Sequence, residues 1–138
     1  MGLFNVFDIS GSALSAQSVR LNVTSSNLAN IDSVSSSISR TYRARQPVFE
    51  TMYYDLLDAD ASSAGVRVQG IVESQAPLRE EYVPDHPYAD EQGYIHLPNV
   101  NAIEEMANMI SASRSYQNNI EVINASKDML QRTLTMGQ

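Results

Sequence analysis

The sequence contains no cysteine and no tryptophan, and only 2 of its 138 residues are histidine. Without cysteine the chain cannot form disulfides, a thiolate nucleophile or a zinc ribbon. No run of 18 apolar residues occurs, so we expect no membrane span. The first nine residues lack a basic start, and Asn5 and Asp8 interrupt their apolar character. We therefore expect no cleaved secretory signal.

Basic residues are also scarce, since nine lysines and arginines face sixteen aspartates and glutamates, for a net charge of −7. Such a balance argues against nucleic acid as a partner, because phosphate binding requires basic patches. Residues 40–105 hold twelve of the acids and five of the bases, which accounts for the whole net charge. Residues 1–39 and 106–138 are together neutral. This difference in charge predicts that the chain ends and the middle have different functions.

The last forty residues have the pattern of one long helix. Asn101 is placed to cap it after Pro98, Glu104 stands at the capping-box position, and Gly137 is the expected C-terminal cap. Apolar residues then recur at helical spacing, among them Ile110, Tyr116, Ile120 and Ile123. A helix over 102–136 would be about 50 Å long at about 1.5 Å per residue. A helix of that length needs a partner along its whole length.

A second helix is predicted from Asp8, taken as its N-cap, to about Ile31. Leu14, Leu21 and Leu28 follow Phe7 at intervals of seven, which is typical of a heptad seam. The intervening residues are small, neutral and polar, and residues 10–39 include eleven serines, a poor helix former. We therefore expect residues 1–35, and part of 105–138, to be disordered in the free monomer and helical once neighbouring subunits cover them.

The middle of the chain predicts a small β module inserted between the two helices. Residues 33–40 form a serine-rich linker, residues 45–50 begin a strand, and residues 66–72 alternate as a half-buried strand does. Residues 58–65 are expected to be the loop between these strands, and 94–97 a short strand after a turn-rich loop. We expect an α+β fold, with a helical domain of residues 1–39 and 99–138 and a β-rich domain of residues 40–98.

One cluster has residue types that could bind a metal: His86, Asp90 and His96, with Asp85 and Glu91 beside them. Their spacing matches no ligand motif, and a solvated acidic loop explains them better. No nucleophile elbow, phosphate-binding glycine loop or zinc-protease motif is present. We expect no metal, no cofactor and no catalysis, and keep a small metal-dependent hydrolase as the least favoured alternative.

Three blocks of sequence resemble one known family, the bacterial flagellar rod and hook axial proteins. The N-terminal block is Ser12-Ala13-Leu14-Ser15-Ala16-Gln17, Arg20-Leu21-Asn22-Val23 and Ser26-Asn27-Leu28-Ala29-Asn30. The C-terminal block is Asn99-Val100-Asn101, Glu105-Met106, Ser113-Arg114-Ser115-Tyr116-Gln117, Asn119 and Val122-Ile123-Asn124. The block between them resembles a short member from the proximal rod: Glu73-Ser74-Gln75-Ala76-Pro77, Tyr82-Val83-Pro84-Asp85-His86-Pro87, Asp90 and Gly93-Tyr94. One position departs from the family motif, where Ser33 replaces the usual threonine and keeps its hydroxyl.

The resemblance implies that the terminal helices form an antiparallel coiled coil lining a helical tube, with the β module outside. It also implies a structural subunit of the proximal rod, exported through the flagellar type III apparatus without a cleaved signal. Its partners would be copies of itself, other rod proteins and basal-body ring components. We expect the assembly interface to include Leu14, Leu21, Leu28, Asn27, Asn30, Ile110, Tyr116, Ile120 and Ile123. A helical-hairpin binding module or export chaperone is the alternative.

Overall fold

The computed structural model describes residues 3–53 and 64–136. Two helices enclose four short strands along the chain, in the order α1 (Leu3–Ala29), β1 (Arg45–Tyr53), β2 (Ala64–Glu73), β3 (Arg79–Tyr82), β4 (Tyr94–Leu97) and α2 (Ala102–Met136). The strands form two separate antiparallel pairs, β1–β2 and β3–β4. This confirms the expected α+β fold, with two long helices and a small β module between them.

Helix α2 has the bounds that the sequence predicts. The Asn101 side-chain oxygen accepts the backbone N–H of Ile103 at 3.1 Å, and the Asn101 carbonyl accepts that of Glu105 at 3.0 Å. The side-chain contact satisfies one of the free amides of the first turn, so Asn101 is the N-cap. The expected cap at Gly137 lies outside the described residues.

The expected start of α1 is wrong. The helix begins at Leu3, and Asp8 is an exposed residue inside it rather than its N-cap. Aspartate is a favourable N-cap, but Val6, Phe7 and Ile9 extend the partly buried helical pattern past it towards the N-terminus, so the helix starts earlier. The C-terminal end is close to expectation, because the side chain and backbone amides of Asn30 both bond to the Ser26 carbonyl, at 2.8 and 3.2 Å.

The two helices run antiparallel, as two contacts between them show. The Asn27 side chain lies beside that of Glu105, and seven residues earlier on α1 the Arg20 guanidinium donates to the Asn108 side-chain oxygen at 2.9 Å. Leu3, the first residue of α1, lies 24 residues before Asn27. In an antiparallel pair the residue opposite it on α2 lies 24 residues after Glu105, which is Met129. Residues 131–136 are accordingly exposed. Helix α2, with 35 residues against 27, therefore extends past the end of α1.

The β1–β2 hairpin lies along α1. Near one end of the hairpin the Arg45 backbone N–H and carbonyl bond to the Asn27 side chain, and near the other end the Val66 N–H donates to Ser12 Oγ at 3.1 Å. The fifteen residues of α1 between these two contacts span about 22 Å, and the six strand residues between them span about 20 Å. The two segments therefore match in length. The register shifts once, between Val48 and Phe49. Part of the expected 58–65 loop, residues 58–63, lies outside the described residues.

The β3–β4 pair builds a second, smaller core with the segment that follows α1. Ile95, His96, Pro98 and Val100 are buried there. Ser35 pairs with His96 through two backbone hydrogen bonds of 3.0 and 3.1 Å. The serine-rich segment 33–40 is therefore held on the β3–β4 pair by backbone pairing at Ser35, and the hydroxyls of Ser35 and Thr41 bond to the Ser37 carbonyl within the segment and at its end. An interpretation of the segment as a linker, based on composition, does not predict this.

Candidate assembly interface

The contact between α1 and α2 is built from small and polar side chains. On α2 the buried residues are Glu105, Ala112 and Ser126, at intervals of seven and fourteen. On α1 the buried residues are Ser10, Ala16, Val23, Thr24 and Asn27. Seven-residue spacing keeps one stripe of a helix against its partner, and small side chains let the two backbones approach closely. The helix pair is therefore held by a narrow seam.

Asn27 is the most constrained of the expected interface residues, with 1% of its surface exposed. Its oxygen accepts the Tyr42 hydroxyl at 2.8 Å and the Arg45 backbone N–H at 2.9 Å, and its amide donates to the Arg45 carbonyl at 2.8 Å. Asn27 therefore joins α1 to the start of β1. Buried polar groups that are bonded in this way fix a unique arrangement, because each lost bond leaves a costly unpaired group.

Glu105 lies beside Asn27 in the seam, with 6% of its surface exposed. Burial raises the pKa of the Glu105 carboxyl, Glu104 adds to the rise, and the Asn27 hydrogen bond and the Arg20 charge oppose it. The sequence singles out Glu105 only as part of the C-terminal block that resembles the rod and hook family. The interval of seven from Glu105 to Ala112 and on to Asn119 and Ser126 is the sequence signal that could have found it.

The remaining expected interface residues fall into two groups. Leu14, Leu21, Leu28, Asn30, Tyr116 and Ile123 are partly buried within the single chain. Ile110 and Ile120 are 53% and 38% exposed. The seam within one chain thus leaves part of the expected set uncovered. All nine residues remain predictions as contacts between subunits.

An exposed apolar row runs along the first turns of α2, made of Ile103, Met106 and Ile110. These residues are spaced by three and four, so they share one face of the helix, and that face differs from the seam. Leu134 and Met136, at 72% and 85% exposed, lie apart from this row at the overhanging end of α2. Contiguous exposed apolar surface on a helix is typical of a protein-binding face.

The described residues offer little to catalysis. No group of three histidine, aspartate or glutamate side chains among residues 3–53 and 64–136 is arranged to hold a metal ion. The His86 ring accepts the Tyr88 backbone N–H at 3.1 Å and stacks near the Tyr88 ring, so it forms part of its own turn. No helix in the same part of the chain is long and apolar enough to cross a membrane.

Comparison with known proteins identifies the family. The family described as "Flagella basal body rod protein" matches residues 7–35, and "Flagellar basal body rod FlgEFG protein C-terminal" matches residues 91–136. The chain is 53% identical to the flagellar basal-body rod protein FlgC of Salmonella typhimurium, 51% to that of Escherichia coli O6:H1 and 50% to that of Yersinia enterocolitica. Each alignment covers the whole of both proteins. The chain belongs to the FlgC family of flagellar basal-body rod proteins.

Proposed function

We propose that the chain is a structural subunit of the proximal part of the flagellar rod. Copies of it would pack with other rod proteins into a helical tube that transmits torque and encloses part of the export channel. The observation that carries this proposal is the full-length identity of 50–53% to three basal-body rod proteins. The role is mechanical, so it requires no cofactor, no nucleic acid and no catalytic residue.

The surface of α2 supports packing against neighbours. Ile103, Met106 and Ile110 are exposed on a face that neither α1 nor the β strands cover, and the end of α2 lies beyond the reach of α1. Fully burying one such side chain stabilises an assembly by about 1.5–3 kcal/mol. Covering several of them on each subunit favours a stiff and multiply packed polymer.

We also propose that the chain reaches the rod through the flagellar type III export apparatus, without cleavage, and contacts basal-body ring components there. An intact mass for the protein extracted from purified basal bodies would support the uncleaved route. A shortened N-terminus would contradict it.

Complementation tests the structural role. The chain is expressed in Salmonella typhimurium lacking its own FlgC, and basal bodies are purified and probed for the chain. We expect the chain in the rod fraction and restored motility. Leu21→Asp should abolish incorporation, because burying an unpaired carboxylate in a packed seam costs several kcal/mol. Leu21→Met, which conserves volume, is the control and should incorporate.

A normal rod carrying Leu21→Asp would remove Leu21 from the interface. A wild-type chain that never enters the rod, and forms instead a folded soluble complex with another exported protein, would favour the alternative of an export chaperone.

Hydrogen exchange tests the proposal that the helices fold on assembly. We expect the amides of residues 10–30 to exchange rapidly in the free chain and slowly in purified basal bodies. The amides of the β3–β4 pair serve as an internal reference, because Ile95, His96 and Val100 are buried without any neighbour. Strong protection of residues 10–30 in the free chain would contradict assembly-dependent folding.

A further inference from the structure

A cleft of about 450 Å³ opens beside the β3–β4 pair, away from the helix seam. Its lining comprises Ile38, Glu80, Asp90, Glu91, Gln92, Tyr94 and His96. Three of these residues carry carboxylates and none is a lysine or arginine. The His96 side chain forms a wall of the cleft and is only 8% exposed. The cleft therefore combines negative charge with one buried polar ring.

His96 is left electrostatically incomplete by its surroundings. Its Nδ1 lies 3.5 Å from a Glu80 oxygen and its Nε2 lies 3.7 Å from an Asp90 oxygen, and buried Nδ1 has no hydrogen-bond partner. A neutral imidazole carries a single N–H, so one of its nitrogens must point a lone pair at a carboxylate. This repulsion is relieved only by a positive charge or a donor that enters the cleft, or by a second proton on the ring.

One carboxylate of the cleft, that of Asp90, is held in place by hydrogen bonds. The Asp90 side chain accepts the backbone N–H groups of Tyr94 and Gln92 at 2.9 and 2.8 Å, and the Tyr94 bond is the main reason that the pKa of Asp90 lies below its usual value. Arg79, the nearest base along the strand, donates instead to the carbonyls of Pro98 and Ile31. Among the residues that the structure describes, no lysine or arginine forms an ion pair with Glu80, Asp90 or Glu91.

We propose that this cleft receives an arginine side chain from a neighbouring protein of the basal body. A guanidinium is a planar fork of donors that can bond both oxygens of the Glu80 carboxylate, which is 54% exposed beside the buried His96 ring. Its face can also stack on Tyr94, which is 40% exposed at the edge of the cleft. Lysine offers neither the fork nor the stacking. That the neighbour is a basal-body protein rests on the proposed function, whereas the arginine chemistry rests on the cleft alone.

The surface around the cleft has the character of a protein interface. Tyr82 and Tyr88 are exposed nearby in sequence, and the Tyr82 ring packs edge-on against Tyr94 with centroids 5.2 Å apart. Tyrosine and arginine are the residues most enriched where two proteins bind tightly, since they offer large contact area together with hydrogen bonds. The cleft would therefore be a specificity pocket within a wider contact.

A titration of the isotopically labelled full chain with acetyl-arginine-methylamide tests the pocket at pH 7.5. We expect chemical-shift changes at the His96 ring and the Gln92 and Tyr94 amides, and none with the citrulline analogue, which has the same shape and no charge. Glu80→Gln should weaken binding about tenfold, since a hydrogen bond to a charged group contributes about 1.5–3 kcal/mol.

Glu81→Gln is the matched control. It removes the same charge one residue along β3, where successive side chains point to opposite faces, and Glu81 does not line the cleft. Binding should be unchanged in this variant. Equal responses to arginine and citrulline would overturn the proposal. So would a His96 ring that carries two protons at pH 7.5 and ignores the arginine compound, because a proton alone then completes the site.

Photo-crosslinking from position 94 tests the assembled state. A photoreactive phenylalanine analogue at Tyr94 should link to a neighbouring protein at a peptide that contains arginine, and changing that arginine to glutamine should reduce the yield. A chain that enters the rod but crosslinks to nothing, or only to peptides without arginine, overturns the inference and leaves the proposed function intact. A chain that never enters the rod refutes the proposed function, and the titration still decides the pocket.

Discussion

Gly93 provides the sharpest test of the β3–β4 pair. Its φ of +84° lies in the left-handed region, which costs a residue with a Cβ about 1–2 kcal/mol. A Cβ there would also lie 2.9 Å from Tyr82 Cε2 and 3.2 Å from Pro84 Cβ. Relieving such an overlap costs about 1–3 kcal/mol, and the stiffer unfolded chain returns about 0.4–1 kcal/mol. We expect Gly93→Ala to lower the free energy of unfolding by about 3 kcal/mol.

Urea and thermal unfolding of the isolated chain measure this effect, followed by the near-ultraviolet signal of its tyrosines. A loss of that size corresponds to a fall of roughly 10 °C in the melting temperature of a domain of this length. Gly70→Ala is the matched control, because nothing lies within 4 Å of its would-be Cβ and its φ is not positive. Should Gly93→Ala prove as stable as Gly70→Ala, the turn that shapes the arginine cleft is not formed as described.

Two further variants examine the helix pair. Burial raises the pKa of Glu105 above its usual 4.5, so the folded helix pair binds a proton more tightly than the unfolded chain does. The stability of the helix pair is therefore highest below pH 4.5 and declines as the pH rises through the raised pKa. Rods assembled from the chain should accordingly lose thermal stability as pH rises above 4.5, and rods of the Glu105→Gln variant should not show this dependence; an unchanged pH profile in the variant would contradict the assignment. Ala112→Leu should reduce rod incorporation, since Ala112 is completely buried and overpacking costs about 1–3 kcal/mol. Ala125→Leu, at an exposed position of α2 away from the apolar row, should not, and equal incorporation of the two variants would place Ala112 outside the seam.

The sequence predicts the long elements well and the polar contacts poorly. Helix α2 is predicted to the residue because Pro98 and Asn101 mark its start and its apolar spacing is sustained. Strand β3 has no such signal, since Arg79 to Tyr82 are all exposed and the strand is defined by its pairing with β4. A strand that is exposed to solvent on both faces shows no alternation of apolar and polar residues, so its sequence does not reveal it.

For the candidate interface, too, the sequence indicates the apolar residues better than the polar ones. Heptad spacing indicated the leucines at 14, 21 and 28, and the structure places them at partly buried positions beside the seam. Several of the buried contacts are instead polar, among them those of Asn27 and Glu105, where hydrophobic periodicity gives no warning. His96 was considered only as a metal ligand. Its isolation between two carboxylates depends on strand pairing that residues distant in sequence create.

The unequal lengths of the two helices carry a consequence for growth. Because α2 projects past α1 by about two turns, one end of the helical hairpin is covered and the other end is left without a partner. If each added subunit covers the projecting part of α2 on the subunit before it, its own projecting α2 becomes the next uncovered end. Such a chain of additions has a built-in direction and never caps itself, so its final length must be set by something other than the subunit.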